Sequence, residues 1–543
     1  MNLKEMLAER IATGLKRKSI TSCSRWAENY RFIKGIPWRF RRHPWLREMH
    51  DCDSNLVVGQ KAAQMGFTEW ALNTCFYEID IHGHDVLYVL PSKDDASDFS
   101  SGRFDPALES SPHLKNLFSD VSNVGHKRAG QSNLYVRGSR SRSKLKSIPT
   151  GVIIFDELDE MTQENIPLAR ERASGQDRKL ELMISTPTFD EMGINSYFQK
   201  TTQEEFFFKC PGCSRLINLD FPGCLVITAD RVEDPGIKNS HLICTQCNKI
   251  LHHHDKPEWL STGRFVPQFS DRDGRGFSVN QFYSSAEACS PPEMAKAYLL
   301  SLYDPSAEQE FFNSKLGKTH VVKGAQVLDT EIQSCYGSYR NGSRPQSPIV
   351  TMGVDVGKRL HVCIEEWTLP SVVTSTLNEL STCRLLLATT VNEFEELAPL
   401  LFDYNVKGCV IDKQPETRKA YEFACKYWGM VKLCIYVRGI SSRQVSMSAE
   451  EEQVITVDRT SWLDLSLSRY RNNTIKIPED ISEEYKKHIK EPKRLYKKDQ
   501  DGNQVGYYQS VGADHYAHAR NYSEIALLIA ASISQSQDIG GIY

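Results

Sequence analysis

The chain has 543 residues, with 66 basic against 69 acidic side chains and a formal net charge of −3. That length exceeds what one hydrophobic core usually supports, so two major domains and a small insert are expected. The near-neutral balance excludes attraction of nucleic acid by a global positive field and leaves local patches; no apolar run reaches membrane-spanning length and no cleavable signal leads the chain, so a soluble protein with no membrane partner is expected.

Residues 1–43 form a basic and aromatic segment. Leu3, Met6, Leu7 and Ile11 recur at helical spacing, and Lys16, Arg17, Lys18, Arg25, Arg31, Arg39, Arg41 and Arg42 follow among Trp26, Tyr30 and Trp38. The plain expectation is a helix packed on its own domain.

An α/β domain is expected over 44–339. The apolar run Leu56-Val57-Val58-Gly59 leads into Lys61-Ala-Ala-Gln-Met-Gly66-Phe67-Thr68-Glu69 and then helix-like sequence from Trp70 to Tyr77. Strand, loop and helix in that order suit a phosphate-binding loop, in which backbone N–H groups and a helix N-terminus surround phosphates, a lysine neutralises them and a hydroxyl reaches magnesium. Gly66 and Thr68 fit that pattern. Phe67 occupies the usual lysine position, so Lys61 is the cation expected to fold back over the β/γ-phosphates of ATP.

Val152-Ile153-Ile154-Phe155 ends in Asp156-Glu157, a buried strand finishing on two carboxylates. Asp156 is expected to hold Mg²⁺ and Glu157 to polarise the attacking water. A further apolar strand, Leu180 to Ile184, ends in Ser185 and Thr186, polar groups placed to sense the γ-phosphate. Between the phosphate loop and Asp156, no acidic residue interrupts Lys127 to Thr150, and Arg140 and Arg142 are candidates for an arginine offered in trans to a neighbour's phosphates or for contacts with DNA phosphates.

The fifteen cysteines without a signal segment suggest a reducing compartment. Cys210-Pro-Gly-Cys213 and Cys244-Thr-Gln-Cys247 are two tight knuckles that can close around one tetrahedral Zn²⁺, giving a zinc-ribbon-like insert at about 205–255. Cys224 and the run His252-His253-His254 offer alternative ligands.

A polar break at 340–348 is read as a linker to a second domain, 349–533. There the strand-like runs end on carboxylates: Asp355 after Ile349-Val-Thr-Met-Gly-Val, and Asp412 after Gly408-Cys-Val-Ile. Asp514 opens a long helix, with His518 one turn on. Carboxylates on a first strand, a later central strand and a late helix follow the order of an RNase H-like nuclease, where Mg²⁺ or Mn²⁺ held between them activates water for phosphodiester hydrolysis. Before that helix, Lys486, Lys487, Lys493, Arg494, Lys497 and Lys498 are interleaved with tyrosines around an Asp501-Gly502 turn, a hairpin suited to a DNA backbone. Residues 534–543 read as a polar tail.

KAAQMGFT, VIIFDELDEM, STPT, the cysteine knuckles, GFSVNQFYSS, GVDVG, VIDKQPE and DHYAHA together resemble the large terminase subunits of tailed bacteriophages, of the lambda-like type, over nearly the whole chain. The resemblance implies an ASCE-type P-loop ATPase followed by an RNase H-like nuclease. It assigns Lys61, Gly66 and Thr68 to the phosphate loop, Asp156 and Glu157 to the Walker B pair, and Asp355, Asp412 and Asp514 to the nuclease metals. It further implies ATP-driven translocation of double-stranded DNA into a procapsid, cleavage of concatemers, and an oligomeric ring. The expected partners are the small terminase subunit, which residues 1–43 would dock, and the portal, and the expected setting is the host cytoplasm. Pro44-Trp45-Leu46-Arg47 departs from the family's glutamine-bearing adenine motif. The rival reading is a helicase or translocase whose second half binds without chemistry.

Overall fold

The computed structural model describes residues 20–119, 121–146, 148–176, 178–322, 324–370, 377–437, 445–447, 452–498 and 503–539. The helical stripe expected between Leu3 and Ile11 lies outside them. The chain divides into two compact units, Met1–Val322 and Lys323–Tyr543. This division precedes the expected linker at 340–348. Val327, Ile332 and Cys335 are buried in the second unit's core, and Tyr336–Gly337 pairs in parallel with Ile475–Pro478, so residues read as the end of the first domain belong to the second.

The first unit is built on β1 (Leu56–Lys61), α1 (Phe67–Tyr77), β2 (Val86–Leu90), β3 (Ser132–Gly138), β4 (Val152–Asp156), β5 (Leu180–Ser185), β6 (Glu204–Lys209) and β7 (Arg275–Val279). The strands lie in the order β6-β7-β1-β5-β4-β2-β3, each parallel to its neighbours, with short antiparallel strands at both edges. Every residue of β2 and β4 is buried, which is why they read as continuous apolar runs rather than alternating ones. Because β1, β4 and β5 are parallel, they deliver Lys61, Asp156 and Ser185 to the same edge. β5 is inserted between the loop strand and the carboxylate strand, as an ASCE-type domain requires. β6 pairs with β7 and with Arg264–Pro267, so the start of the expected insert belongs to the main sheet. The insert beyond it contains a sheet of Leu225–Val226, His241–Ile243 and Ile250–Leu251.

The second unit contains β8 (Val350–Val356), β9 (Leu360–Thr368), β10 (Thr382–Val391), β11 (Gly408–Asp412), β12 (Val431–Val437), β13 (Val454–Asp458), α2 (Arg459–Arg471), β14 (Ile475–Pro478), β15 (Lys493–Lys498), β16 (Gln504–Gln509) and α3 (His515–Ile539). The sheet order is β14-β10-β9-β8-β11-β12-β13. β8, β9 and β10 are antiparallel, whereas β11 joins β8 and β12 joins β11 in parallel; this is the RNase H-like arrangement. β15 and β16 form the expected hairpin, whose Asp501-Gly502 turn lies outside the described residues.

α3 lies directly on β8 and β11. A side chain at Gly353 would strike the Ala519 carbonyl and the Ser523 amide, and one at Gly408 would meet Ala526 O at 2.6 Å, so both glycines permit this close approach. Thr351 and Ser523 hydroxyls bond at 2.7 Å across the same seam. Under it, Glu365, Arg469, Arg520 and Glu524 form a fully buried set of ion pairs, with Arg469 Nε 2.5 Å and Arg520 Nη2 2.9 Å from Glu524 Oε2. Burial pushes the Glu524 carboxyl up, but the charges and hydrogen bonds of Arg469 and Arg520 outweigh it and hold it at about 2. α3 continues to Ile539, so residues 534–539 are helical rather than a tail.

Candidate active sites

Lys61 ends β1, and the loop after it reaches α1 through Gly66, whose φ of 83° is a left-handed conformation that suits glycine. The loop is braced from outside: Trp45 Nε1 donates to Met65 O at 3.1 Å, Gln281 Nε2 to Ala63 O at 3.0 Å, and Ala63 N to Ser314 O at 2.7 Å. Phe67 does not face the loop. It is buried, packs edge-on against Trp70 and fills the space that Gly59 leaves beneath the sheet. Its side chain is therefore a core anchor, and only its backbone remains for a phosphate.

Lys61 Nζ lies 2.8 Å from Glu157 Oε1, so the cation at the front of the loop meets the second carboxylate of β4's end. Asp156 is buried; its Oδ2 accepts from the Tyr88 hydroxyl at 2.7 Å and it interacts with Thr68, whereas its Oδ1 is buried without a hydrogen-bond partner. Burial, reinforced by Glu157 and opposed by Lys61, raises the Asp156 carboxyl to about 6. An orphaned buried carboxylate oxygen beside a threonine hydroxyl is the donor set a Mg²⁺ ion would complete.

Ser185 is less free than its place at a strand end implies. Its Oγ accepts from Asp159 N at 3.2 Å and donates to Thr186 O at 3.1 Å, locking β5 to the turn after Glu157. Asp159, missed in the sequence, holds that turn: it accepts from Ile194 N, Thr188 N and Thr188 Oγ1 at 2.7–2.9 Å. Arg140 lines a cleft of about 510 Å³ together with Arg103, Glu157 and Glu160 of the same chain. Arg142 begins the short helix Arg142–Lys146. The segment Pro44-Trp45-Leu46-Arg47 buttresses the loop through Trp45, while Arg47 turns away to Glu28 at 2.6 Å. Trp26 is likewise buried and bonds Asp80, and Arg31 pairs with Glu69, so these two residues are engaged within their own unit.

Both cysteine knuckles have the same backbone. Cys210 N donates to Arg215 O and Ser214 N to Cys210 O, and Cys244 N to Lys249 O and Asn248 N to Cys244 O, each at 2.9 Å. All four Sγ atoms lie within 4.8 Å of one another, with Cys210–Cys247 at 3.8 Å and Cys213–Cys244 at 3.9 Å. Cys224 and the histidine run stand outside this group.

In the second unit, Asp355 is buried near the end of β8, and its Oδ2 accepts from His515 Nδ1 at 2.8 Å. Asp412 ends β11 and accepts from Gln414 N at 3.0 Å. Burial, with Asp355 adding repulsion, raises its carboxyl to about 6. Asp514 is differently engaged: it accepts from Ser510 Oγ at 2.6 Å, faces His518 Nε2 at 3.2 Å and stands 3.9 Å from Arg459. Burial raises its carboxyl, but His518, Ser510 and Arg459 more than reverse this and leave it well below the usual range. Among the described residues, the acidic and histidine groups that converge here to within 4.8 Å are Asp355, His361 and His515, not Asp355, Asp412 and Asp514. His361 and His515 escaped the sequence reading, although a tight turn after Asp355 would have set His361 opposite it.

Of the basic residues expected on DNA, Arg494 is committed internally, with Nε and Nη2 at 2.7 and 3.0 Å from Asp464. Lys486 pairs with Glu483 at 2.5 Å and Lys497 lies over the Tyr507 ring. Lys487 sits on the helix Glu483–Lys490, and Lys493 opens β15, which runs to Lys498.

Two family models match the chain: the ATPase domain of phage terminase large subunit gpA over residues 34–265 and the endonuclease domain of the same subunit over 274–524. The chain belongs to the phage terminase large subunit gpA family. It is an ATPase and an endonuclease of phage DNA packaging and cleavage. Among solved structures, the large terminase of bacteriophage HK97 aligns over 94% of this chain and 98% of its own at 10% identity and a TM-score of 0.48. The large terminase ATPase domain of Thermus phage P74-26 aligns over 51% and 92% at 13% identity and a TM-score of 0.32. The magnesium-bound large terminase nuclease of thermophilic phage G20c aligns over 37% and 97% at 12% identity and a TM-score of 0.24. No curated protein matches the sequence. Among the described residues of this terminase subunit, no helix is long and apolar enough to cross a membrane.

Proposed function

We propose that ATP is hydrolysed at the edge formed by Lys61, Thr68, Asp156 and Glu157. Lys61 neutralises the β/γ-phosphates in place of the absent loop lysine, and the backbone of Gly66 and Phe67 at the start of α1 faces them. Asp156 and Thr68 would hold Mg²⁺, which when bound neutralises charge on the phosphate oxygens. Glu157 orients the attacking water. The observation that carries this reading is the Lys61–Glu157 contact of 2.8 Å, which brings the displaced cation to the carboxylate proposed to act on water. Arg140, which lines the cleft that Glu157 borders, would serve its own chain's site rather than a neighbour's.

In the second unit, Asp355 and Asp412 would hold the divalent ion, Mg²⁺ or Mn²⁺, that activates water for phosphodiester cleavage. Asp514 orders Arg459 and His518 at the start of α3. The four cysteines would hold a structural Zn²⁺: a tetrahedron with Zn–S bonds of about 2.3 Å has Sγ–Sγ edges of roughly 3.8 Å. The Cys210–Cys247 and Cys213–Cys244 pairs stand at 3.8 and 3.9 Å. Double-stranded DNA is the substrate, with Lys487, Lys493 and Lys497 on its path. The small subunit, the portal of the procapsid and further copies of this chain in a ring are the partners this role calls for, and the lambda-like type is the affiliation its motifs favour.

Supercoiled plasmid incubated with Mg²⁺ or Mn²⁺ tests the nuclease. Cutting by the full chain that disappears in Asp412→Ala and with a chelator supports the assignment. Equal cutting by both proteins places the chemistry elsewhere, whereas no cutting by either leaves the translocase with a binding-only second half.

A further inference from the structure

We propose that Asp355, His361 and His515 form a metal site with imidazole ligands, which selects a first-row transition ion such as Mn²⁺ over Mg²⁺. It rests on the nuclease reading only in sharing Asp355 with it.

Three features of the fold build this site. Asp355 and His361 are Cα partners across the β8–β9 pair, so both side chains leave the same face of the sheet as direct cross-strand neighbours. His515 opens α3, which Gly353 allows to sit against β8, and its ring stacks on His361 with centroids 4.5 Å apart and planes 17° from parallel. One ligand atom from each residue lies within 4.8 Å of the others, and His515 Nδ1 to Asp355 Oδ2 is only 2.8 Å. That short edge is a hydrogen bond while Nδ1 carries its proton, and it is also the spacing of two adjacent ligands on an ion that takes the proton's place, since metal–ligand bonds of about 2.1 Å at right angles span roughly 3 Å.

A plain ion pair explains His515 and Asp355 but leaves His361 without a purpose. His361 is 6% exposed, and its Nδ1 is buried with no hydrogen-bond partner. A buried ring nitrogen without a partner is costly unless something occupies it, and a neutral imidazole beside a carboxylate is a ligand set. The neighbouring His488 contrasts with it, because its Nδ1 faces the backbone amide of Tyr516 at 3.4 Å. The donor chemistry then decides the ion. Magnesium favours oxygen ligands and retains its waters, whereas imidazole nitrogen suits the transition series.

The full chain, loaded with one equivalent of Zn²⁺, which the four soft thiolates take ahead of an imidazole and carboxylate set, and freed of excess Zn²⁺, is titrated with Mn²⁺ and read by electron spin resonance. Bound Mn²⁺ should show spin-echo modulation from directly coordinated ¹⁴N. His515→Ala, which removes a half-exposed side chain, should abolish or halve that modulation and weaken Mn²⁺ binding by about tenfold or more, since even outer partners of metal ligands cost 10–100-fold. His361→Gln should behave alike, and His488→Gln should bind Mn²⁺ as the unaltered chain does. Mn²⁺ bound without nitrogen coupling, or a His515→Ala protein with unchanged affinity and coupling, overturns the proposal. Plasmid cleavage in the same samples separates the two readings. Cleavage without nitrogen coupling removes the histidine site and keeps the nuclease; nitrogen coupling without any metal-dependent cleavage keeps the site and removes the nuclease assignment.

Discussion

The ammonium of Lys61 and the carboxylate of Glu157 stand 2.8 Å apart, one at the end of a strand and the other just past the end of a second strand two places away in the sheet. In the proposed site the phosphates of ATP would compete with Glu157 for this cation. Glu157→Gln should bind ATP and turn it over about 10²–10⁴-fold more slowly, the usual contribution of a positioned base. Lys61→Met should instead weaken ATP binding. Steady-state phosphate release and nucleotide affinity, measured together, check both. Unchanged turnover in Glu157→Gln would remove it from the mechanism.

The displaced lysine yields a sharper test. Phe67 holds the position where a loop lysine is expected, yet its ring is buried against Trp70 and Gly59. Restoring the usual residue with Phe67→Lys should therefore not rescue Lys61→Met. It should destabilise the first unit by about 3 kcal/mol or more, because an aromatic core contact is lost and a charge is buried. Thermal unfolding and ATPase assays on the double variant decide it; recovered turnover would mean that the loop can accept a lysine at position 67.

What could be read from the sequence follows from where each signal is local. β4 and β11 announced themselves because a wholly buried run ending on aspartate leaves few alternatives, and the cysteine knuckles because two thiols three residues apart fix their own turn. His361 and His515 were not legible, since a single histidine carries no pattern until β8 and β9 are paired in register and α3 is laid on the sheet. The boundary was misplaced for a related reason: Val327, Ile332 and Cys335 are ordinary apolar residues, and only the packed core shows which unit they serve. Arg494 read as a DNA contact because charge is visible in sequence and its partner Asp464, thirty residues earlier, is not.

The cysteine cluster predicts one zinc per chain. Cys247→Ser should abolish zinc retention, although Cys247 is exposed, while Cys425→Ser, equally exposed but outside the cluster, should leave it intact. Structural zinc contributes on the order of 10 kcal/mol to small metal-dependent folds. The stripped insert should therefore become protease-sensitive between about residues 210 and 250. Elemental analysis with limited proteolysis reads both effects.

The buried ion pairs beneath α3 predict a pH-dependent stability. Glu524 is held at about 2, below its ordinary 4.5, so as pH falls the unfolded chain takes up the proton first. Its stabilisation is present above about pH 4.5 and is lost as pH falls toward 2. Glu524→Gln should destabilise the second unit by about 3–5 kcal/mol near neutrality, because Arg469 loses its buried carboxylate partner and Arg520 is left with Glu365 alone. The difference from the unaltered chain should shrink between pH 4.5 and 2 in denaturant titrations. A constant difference across that window would show that Glu524 acts through packing alone.

Arg140 distinguishes action within a chain from action between chains. It lines the cleft bordered by Glu157 of its own chain, so both should serve one nucleotide. Arg140→Ala should lower ATP turnover by at least about tenfold, a small part of the 10³–10⁵ that a fully engaged arginine supplies to phosphoryl transfer. Mixing Arg140→Ala with Glu157→Gln subunits then separates the cases. If Arg140 serves its own chain, every subunit in the mixture lacks one required group and turnover stays low. An arginine reaching a neighbour's site would let an Arg140→Ala subunit, with its Glu157 intact, work beside a Glu157→Gln subunit that still supplies the arginine. Turnover rising toward a quarter or more of the unaltered level would therefore assign Arg140 to the neighbouring chain.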